Sequence, residues 1–193
     1  MHLCIYAFMA YINMSVSYVE LTFNEVTKSF GDLNVIEHFS TTITTGEMGA
    51  LVGPSGCGKS TLLFMLAGLQ KPSTGTLKAN GKSLEKPSPQ RTLVFQEHAL
   101  YPWLIVAGNV ALALEFQNTP KQIALEEARK WLVKVELSDF EHYYPHQVSG
   151  GMRQRCALAR AFIARPEVLL LDELRRPRCA DTNDAAKCPE GSD

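Results

Sequence analysis

The segment from Gly53 to Thr61 reads GPSGCGKST and constrains this chain more than any other segment. A short apolar run, Met48 to Val52, precedes it, and a helix is predicted from Ser60 to Leu69. Glycines let backbone N–H groups turn towards an anion, and the positive end of the following helix faces the same point. Strand, loop and helix in this order match the phosphate-binding motif GxxxxGK followed by Ser or Thr. We therefore predict a site for the triphosphate of a magnesium nucleotide, with ATP as the expected nucleotide.

Residue types in this loop suit different parts of the nucleotide. The Lys59 ammonium can reach the β- and γ-phosphates, the Ser60 hydroxyl suits Mg²⁺, and the Thr61 hydroxyl suits the α-phosphate. The chain has five cysteines and no CxxC pair, which predicts free thiols in a reducing compartment. Cys57 is therefore interpreted as a small loop residue rather than as a nucleophile. The loop residues expected to contact the nucleotide are Gly53, Pro54, Ser55, Gly56, Cys57, Gly58, Lys59, Ser60 and Thr61.

The second sequence feature is a pair of acidic residues after the apolar run Val168 to Leu171. The run itself is typical of a strand buried on both faces. A carboxylate at the end of such a strand, beside the phosphate loop, can hold Mg²⁺ through water, and Asp172 is placed to do so. The next residue, Glu173, can polarise the attacking water as a general base. Without the phosphate loop, the same residues would be interpreted as a strand that runs into a polar loop.

Length and composition indicate one α/β domain. The chain has 193 residues, of which 46% are hydrophobic and 20% charged, as in an ordinary globular protein. A net charge of -1 gives no basic excess, so no nucleic-acid partner is expected. No apolar stretch reaches the ~18 to 20 residues that a membrane span needs. Periodicity predicts strands at 18–26, 34–45, 75–80, 91–95 and 168–171, and helices at 106–116, 121–135 and about 149–164.

The run Val148 to Arg155, VSGGMRQR, resembles the LSGGQ signature of ATP-binding cassette (ABC) proteins, with Val in place of Leu and Met in place of Gln. The resemblance implies a P-loop NTPase fold of ABC type: a mixed β core with an inserted helical subdomain. It also implies that Ser149, Gly150 and Gly151 cap the γ-phosphate held by the other subunit of a head-to-tail homodimer. The alternative is a helix that Ser149 simply caps at its N-terminus.

Two further residues take roles from the same resemblance. Gln96, at the end of TLVFQ, matches the Q-loop glutamine, which contacts Mg²⁺ and the attacking water and couples to the membrane partner. Phe30 lies where the family places an aromatic residue that stacks on adenine, with ordinary core packing as the alternative. The expected catalytic residues are thus Glu173 and Gln96, and the expected metal ligands are Ser60, Gln96 and Asp172.

The chain is expected to divide into five segments. Residues 1–17 form an N-terminal extension. One hypothesis is that the true start is Met14, in which case most of this extension is not part of the native protein. The ATP-binding core, which contains the phosphate loop (the Walker A motif), spans 18–95. The helical subdomain with the Q-loop spans 96–148. The signature helix and the Walker B strand span 149–173, and an aberrant, disordered tail spans 174–193.

The tail departs from the family pattern after Glu173, where Pro, an aromatic residue and a D-loop such as GALD are expected. One DNA segment that encodes PFGALDAQT yields LRRPRCAD when its first two bases are removed, which is the run Leu174 to Asp181, and the base that is left over, A, can begin the codon of Thr182. We therefore predict a frameshift that leaves the chain truncated after Walker B, without the C-terminal strands, the D-loop and the switch histidine. Such a chain would hydrolyse ATP poorly, and the DNA sequence across codons 170 to 195 tests the frameshift.

The run Val94 to Glu115, and Pro102-Trp103 in particular, resembles the ATPases of nitrate, sulfonate and taurine importers. This implies an ATP-binding subunit of an importer, bound to transmembrane permease subunits at the cytoplasmic face of the membrane as a peripheral protein, and indirectly to a solute-binding protein. One alternative is a hydrolysis-deficient remnant that binds nucleotide. Another is a soluble ABC ATPase of DNA repair or translation, which is disfavoured because long insertions and tandem cassettes are absent.

Overall fold

The computed structural model describes residues 9–12, 18–95 and 99–172, which group into two compact units. The first unit contains the described residues up to 95 together with 164–172, and the second contains 99–163. Within these ranges the strands are β1 (Met9–Ile12), β2 (Glu20–Phe30), β3 (Leu33–Thr44), β4 (Met48–Gly49), β5 (Thr74–Ala79), β6 (Lys82–Ser83), β7 (Arg91–Val94) and β8 (Val168–Leu171). The helices are α1 (Lys59–Leu66), α2 (Val106–Glu115), α3 (Lys121–Lys134) and α4 (Gly150–Ile163).

The first unit contains two four-stranded sheets. One is antiparallel, with strand order β3-β2-β5-β6. The other has the order β4-β1-β8-β7, and β7 runs parallel to β8 while β1 runs antiparallel to both β4 and β8. All four residues of β8 are buried, as its unbroken apolar sequence predicts. This mixture of sheets confirms the predicted mixed α/β fold.

The core of the first unit forms where helix α1 packs against the sheets. Leu21, Phe23 and Val26 of β2 share one buried cluster with Leu63 and Leu66 of α1. Leu21 and Phe23 are two residues apart, which is the period expected of a half-buried strand, and a shift in the register of β2 between Phe23 and Val26 breaks this alternation. Val168 and Leu170 of β8 join the same cluster.

The second unit is helical, and small side chains allow its helices to pack closely. Its buried cluster contains five alanines as well as larger residues such as Val110, Leu132 and Leu137. Trp131 of α3 stacks on Phe162 of α4 with the ring centroids 5.7 Å apart. Two short 3-10 helices, Ser138–Phe140 and Pro145–Gln147, connect α3 to α4. No helix within the described residues has the length and apolarity to cross a membrane.

Asn109 is a fully buried polar residue on α2. Its Oδ1 accepts the backbone N–H of Tyr101 at 2.7 Å, and its Nδ2 donates to the carbonyls of Tyr101, Leu104 and Ile105 at 3.1, 2.9 and 3.2 Å. The side chain therefore holds the loop before α2 against the helix. It also provides hydrogen-bond partners for buried polar groups that would otherwise have none.

Replacing Asn109 with Leu is expected to lower the free energy of unfolding by about 3 kcal/mol. The substitution keeps the branched shape of the side chain but leaves the buried N–H of Tyr101 and the carbonyl groups without partners, each at a cost of about 1–3 kcal/mol before relaxation. Urea unfolding measures the change, and Gln122→Leu, on an exposed site of α3, is the control. A loss below about 1 kcal/mol, within the range of surface substitutions, would contradict this role.

The structure differs from the sequence-based prediction at several places in the first unit: among them, β2 continues to Phe30 rather than ending at Val26, and α1 ends at Leu66 rather than at Leu69. Residues 9–12, within the predicted N-terminal extension, form strand β1 between two other strands of a sheet, and the proposed division of the chain stays a prediction. Strand β4 covers only Met48–Gly49 of the run predicted to end at Val52, and both of these residues pair with β1. The 174–193 tail lies outside the described residues, and its predicted disorder stays a prediction.

Candidate functional site

The phosphate loop contains glycines whose backbone conformation disfavours other residues. Gly56 and Gly58 have φ angles of +83° and +92°, in the left-handed region that favours glycine. A Cβ atom on Gly58 would also lie 3.0 Å from both the carbonyl oxygen and Cγ1 of Val35. Helix α1 begins directly after Gly58, at Lys59. The loop therefore leads directly into the N-terminus of α1, the end of a helix that favours an anion.

Lys59 closes this loop through its ammonium group. Its Nζ donates to the carbonyl oxygens of Gly53 and Pro54 at 2.9 and 2.7 Å and lies 3.5 Å from the Sγ of Cys57. The positive charge is therefore fixed within the loop, where arriving phosphate oxygens can replace the carbonyl acceptors.

Ser60 and Asp172 are brought together although 112 residues separate them in the sequence. The Ser60 hydroxyl donates to Oδ1 of Asp172 at 3.1 Å, and both residues are half-buried. The N–H of Asp172 donates to the carbonyl of Val94 at 2.9 Å, so the pairing of β7 with β8 continues to the carboxylate. The end of the buried strand thus lies at the start of α1, as predicted.

This oxygen pair fits Mg²⁺. A hydroxyl and a carboxylate are hard ligands, and Mg²⁺ is usually held by one or two protein groups together with waters and substrate phosphates. No group of three or more His, Cys, Asp or Glu side chains that could hold a metal occurs in the described ranges. The residues present suit a metal that arrives with a nucleotide.

Phe30 lies at the end of β2, where the chain turns into β3. Its side chain is 49% exposed, so the alternative of core packing does not hold. The Nζ of Lys28 lies 5.1 Å from the ring centroid. An exposed aromatic face beside a cation is able to stack on a base, and the adenine contact stays a prediction.

The signature residues begin helix α4 in the second unit. The Ser149 Oγ accepts the N–H of Met152 at 3.3 Å, which makes Ser149 an N-cap. Nη1 of Arg153 donates to the carbonyl of Val148 at 2.9 Å and fixes the preceding segment. Gly150 and Gly151 form the first turn of the helix. Ser149 is exposed, so the cap does not exclude the predicted γ-phosphate contact.

Gln96 and Glu173, the two predicted catalytic residues, lie outside the described residues. Their roles stay predictions.

Arg91, by contrast, was not singled out from the sequence. Its Nε donates to the carbonyl of Leu66 at 3.1 Å and its Nη2 donates to that of Lys86 at 2.6 Å, so it ties the end of α1 to β7. Burial lowers the pKa of its guanidinium. The sequence feature that could have indicated this role is a charged residue at the start of an apolar strand.

Cys57 and Cys156 have opposite environments. Cys57 is exposed in the phosphate loop, whereas Cys156 is buried on α4, where its Sγ lies 3.7 Å from the carbonyl of Val106. Burial raises the pKa of the Cys156 thiol to about 12. Because the thiolate is the reactive form, Cys156 is chemically inert in the folded chain at neutral pH.

We therefore expect iodoacetamide at pH 8 to alkylate Cys57 while Cys156 of the folded chain stays unmodified. Peptide mass spectrometry measures both sites, and urea-unfolded chain, in which both thiols react, is the control. Saturating Mg²⁺·ATP should slow the reaction of Cys57, because the nucleotide would cover the loop. Equal labelling of both cysteines in the native state would contradict the assignment.

Comparisons with known proteins agree with this geometry. The family model described as ABC transporter matches residues 36–175. The chain is 46% identical over 152 residues to the sulfate/thiosulfate import ATP-binding protein of Mycobacterium tuberculosis (strain H37Rv), covering 77% of this chain and 43% of that protein. It is 41% identical over 157 residues to the aliphatic sulfonates import ATP-binding protein of Bacillus cereus, covering 79% and 61%.

A solved structure gives the same result for the fold. It is the dimeric structure of a post-hydrolysis state of an ATP-binding cassette bound to ADP and Pi, with a TM-score of 0.65 and 28% identity, and the match covers 76% of this chain and 70% of that one. The chain spans about half the length of the curated relatives it matches. Because the family match runs through the phosphate loop, the signature and Asp172, this chain belongs to the ABC transporter family.

Proposed function

We propose that this chain is the ATP-binding subunit of an ABC importer. The observation that supports the proposal most directly is the hydrogen bond between Ser60 and Asp172, which joins the phosphate loop to the end of the buried strand. ATP would bind at Gly53 to Thr61, and a head-to-tail homodimer would place Ser149, Gly150 and Gly151 of one copy on the γ-phosphate bound by the other. The named relatives are import ATP-binding proteins, and the solved neighbour is a dimer.

The residues of the loop would divide the work of binding. Lys59 exchanges its carbonyl acceptors for β- and γ-phosphate oxygens, and loop N–H groups bind the remaining charge. Ser60 and Asp172 would hold Mg²⁺, which when bound neutralises charge on the phosphates. Gln96 would contact the metal and orient the attacking water, and Glu173 would polarise that water. Phe30 would stack on the adenine.

The solute is proposed to be an oxyanion. The sequence resemblance suggests the nitrate, sulfonate and taurine group, and the names of the relatives extend the proposal to sulfate. Two of them are named for import of sulfate/thiosulfate and of aliphatic sulfonates. The subunit would lie at the cytoplasmic face of the membrane, bound to transmembrane permease subunits that receive solute from a binding protein. Growth on sulfate, or on an aliphatic sulfonate, of bacteria that lack the corresponding ATP-binding subunit tests the solute class. Failure to support growth on either would contradict the importer role.

ATP binding itself is tested by calorimetry on the full chain with Phe30→Ala and Phe30→Trp. Loss of a base–aromatic contact of about 1–3 kcal/mol should weaken binding of ATP by about tenfold in Phe30→Ala, while Phe30→Trp retains it. Triphosphate without a base should bind both variants equally. Identical ATP affinities would remove Phe30 from the site.

The alternative of a hydrolysis-deficient remnant predicts the same binding without turnover. It is favoured by the sequence after Glu173, which departs from the family pattern. Phosphate release by the full chain, measured with saturating Mg²⁺·ATP, separates the two proposals.

A further inference from the structure

Strand β1 is an inner strand of the sheet that carries the candidate site. It lies between β4, which leads into the phosphate loop, and β8, which leads into Asp172. Because β1 is antiparallel to both neighbours, β4 and β8 run parallel to each other with one strand between them. The carboxyl ends of β4 and β8 therefore meet at the same edge of the sheet, which is where Ser60 and Asp172 lie.

The backbone of β1 pairs on both sides at the same residues. Ala10 is opposite Gly49 and also opposite Leu170, and Tyr11 is opposite Met48 and also opposite Leu169. In the described sheet, β4 has β1 as its one partner strand, whereas β8 is also paired with β7. Removing β1 would leave unpaired N–H and C=O groups on two facing strand edges in the middle of a sheet.

We propose that β1 is a positioning element: an inserted strand that sets the distance between the phosphate loop and Asp172 by pairing with β4 and β8 together. Adjacent strands lie about 4.8 Å apart, so an inserted strand fixes β4 and β8 at about 10 Å. The hydrogen bond of 3.1 Å between Ser60 and Asp172 depends on that separation, since each residue follows one of the two strands. The magnesium part of this inference rests on the proposed nucleotide site.

Engineered disulfides test the location of β1 without any assumption about nucleotide. Cysteines introduced by Tyr11→Cys with Met48→Cys stand directly opposite each other and should cross-link under mild oxidation. Ile12→Cys with Met48→Cys is the matched control, because a shift of one residue places the positions on opposite faces of the sheet. Peptide mass spectrometry separates the new bond from the five native cysteines. No cross-link, or equal cross-linking in the control, overturns the placement of β1.

The positioning role is tested with Ala10→Pro, which removes a backbone N–H from the inserted strand, and with Ala10→Val, which retains it. Calorimetry measures ATP affinity with Mg²⁺ and with EDTA. In Ala10→Pro the gain in affinity from Mg²⁺ should fall at least about tenfold, while affinity in EDTA changes less and Ala10→Val resembles the parent chain. An unchanged gain in folded Ala10→Pro, or an equal loss in both conditions, assigns β1 a purely structural role and overturns the proposal.

Hydrogen exchange of the unmodified chain decides the question if Ala10→Pro does not fold. Coupling between two sites is reciprocal, so Mg²⁺·ATP must protect β1 if β1 positions the site. The amides of β1 and β8 should exchange at least about tenfold more slowly with Mg²⁺·ATP, and those of β6 much less. Uniform slowing, or none in β1, overturns the proposal. If the parent chain does not bind ATP, the proposed function fails and with it the positioning role, while the disulfide result still decides where β1 lies.

Discussion

Replacing Lys59 with Ala is expected to weaken ATP binding by at least about 100-fold. The Lys59 ammonium is already fixed inside the phosphate loop by the carbonyls of Gly53 and Pro54, so little ordering remains to be done when phosphate arrives. A hydrogen bond to a charged group is worth about 1.5–3 kcal/mol, and the variant loses such contacts to two phosphates. Every 1.4 kcal/mol is about tenfold in affinity.

Calorimetric titration of the full chain with ATP measures the effect. Lys78→Ala is the control, because it removes the same charge from an exposed position on β5 of the same unit. A thermal unfolding curve for each variant separates loss of binding from loss of fold, since Lys59→Ala also removes two contacts that close the loop. If Lys59→Ala bound ATP within about threefold of the parent chain, the phosphate loop would not be the nucleotide site.

Replacing Asp172 with Asn is expected to abolish most of the gain in ATP affinity that Mg²⁺ provides, with a loss of about 10–100-fold. That range is typical when a group that supports a bound metal is removed. Asparagine keeps an oxygen that can accept the hydrogen bond of Ser60 but carries no charge, so the fold should be retained while the metal loses its anionic partner. Affinity in EDTA should change little.

A double-mutant cycle makes this test specific. Ser60→Ala and Asp172→Asn should be non-additive, because the two side chains contact each other and would share one ion. Asp139→Asn, at an exposed position in the second unit, is the control for net charge. Additive effects, or an equal loss from Asp139→Asn, would contradict a shared magnesium site.

The sequence predicted most elements because their signals are local. The helices α2, α3 and α4 agree with the predicted ranges to within a residue or two at each end, and β8 agrees in full. Asp172 was assigned to the metal site from an apolar run that ends in a carboxylate, and the structure places it 3.1 Å from the Ser60 hydroxyl.

Features that depend on tertiary packing were not predicted. Asn109 has the sequence context of an ordinary polar helix residue, and only the packing of the loop before α2 shows that it is buried with four hydrogen bonds. Arg91 gained its role from the end of α1, which lies well before it in the chain. Phe30 has the aromatic character expected of either a core or a surface residue, and its exposure required the fold.

The sequence alone determined that this chain has a phosphate loop, a signature helix and an acidic residue at the end of a buried strand. These features follow from residue types at fixed local spacing, where glycine freedom, helix capping and apolar periodicity act within a few residues. The tertiary structure decided which strand lies between β4 and β8. Met9–Ile12 is too short for its periodicity to identify a partner, and strand pairing is set by backbone groups that meet only when distant segments of the chain fold together.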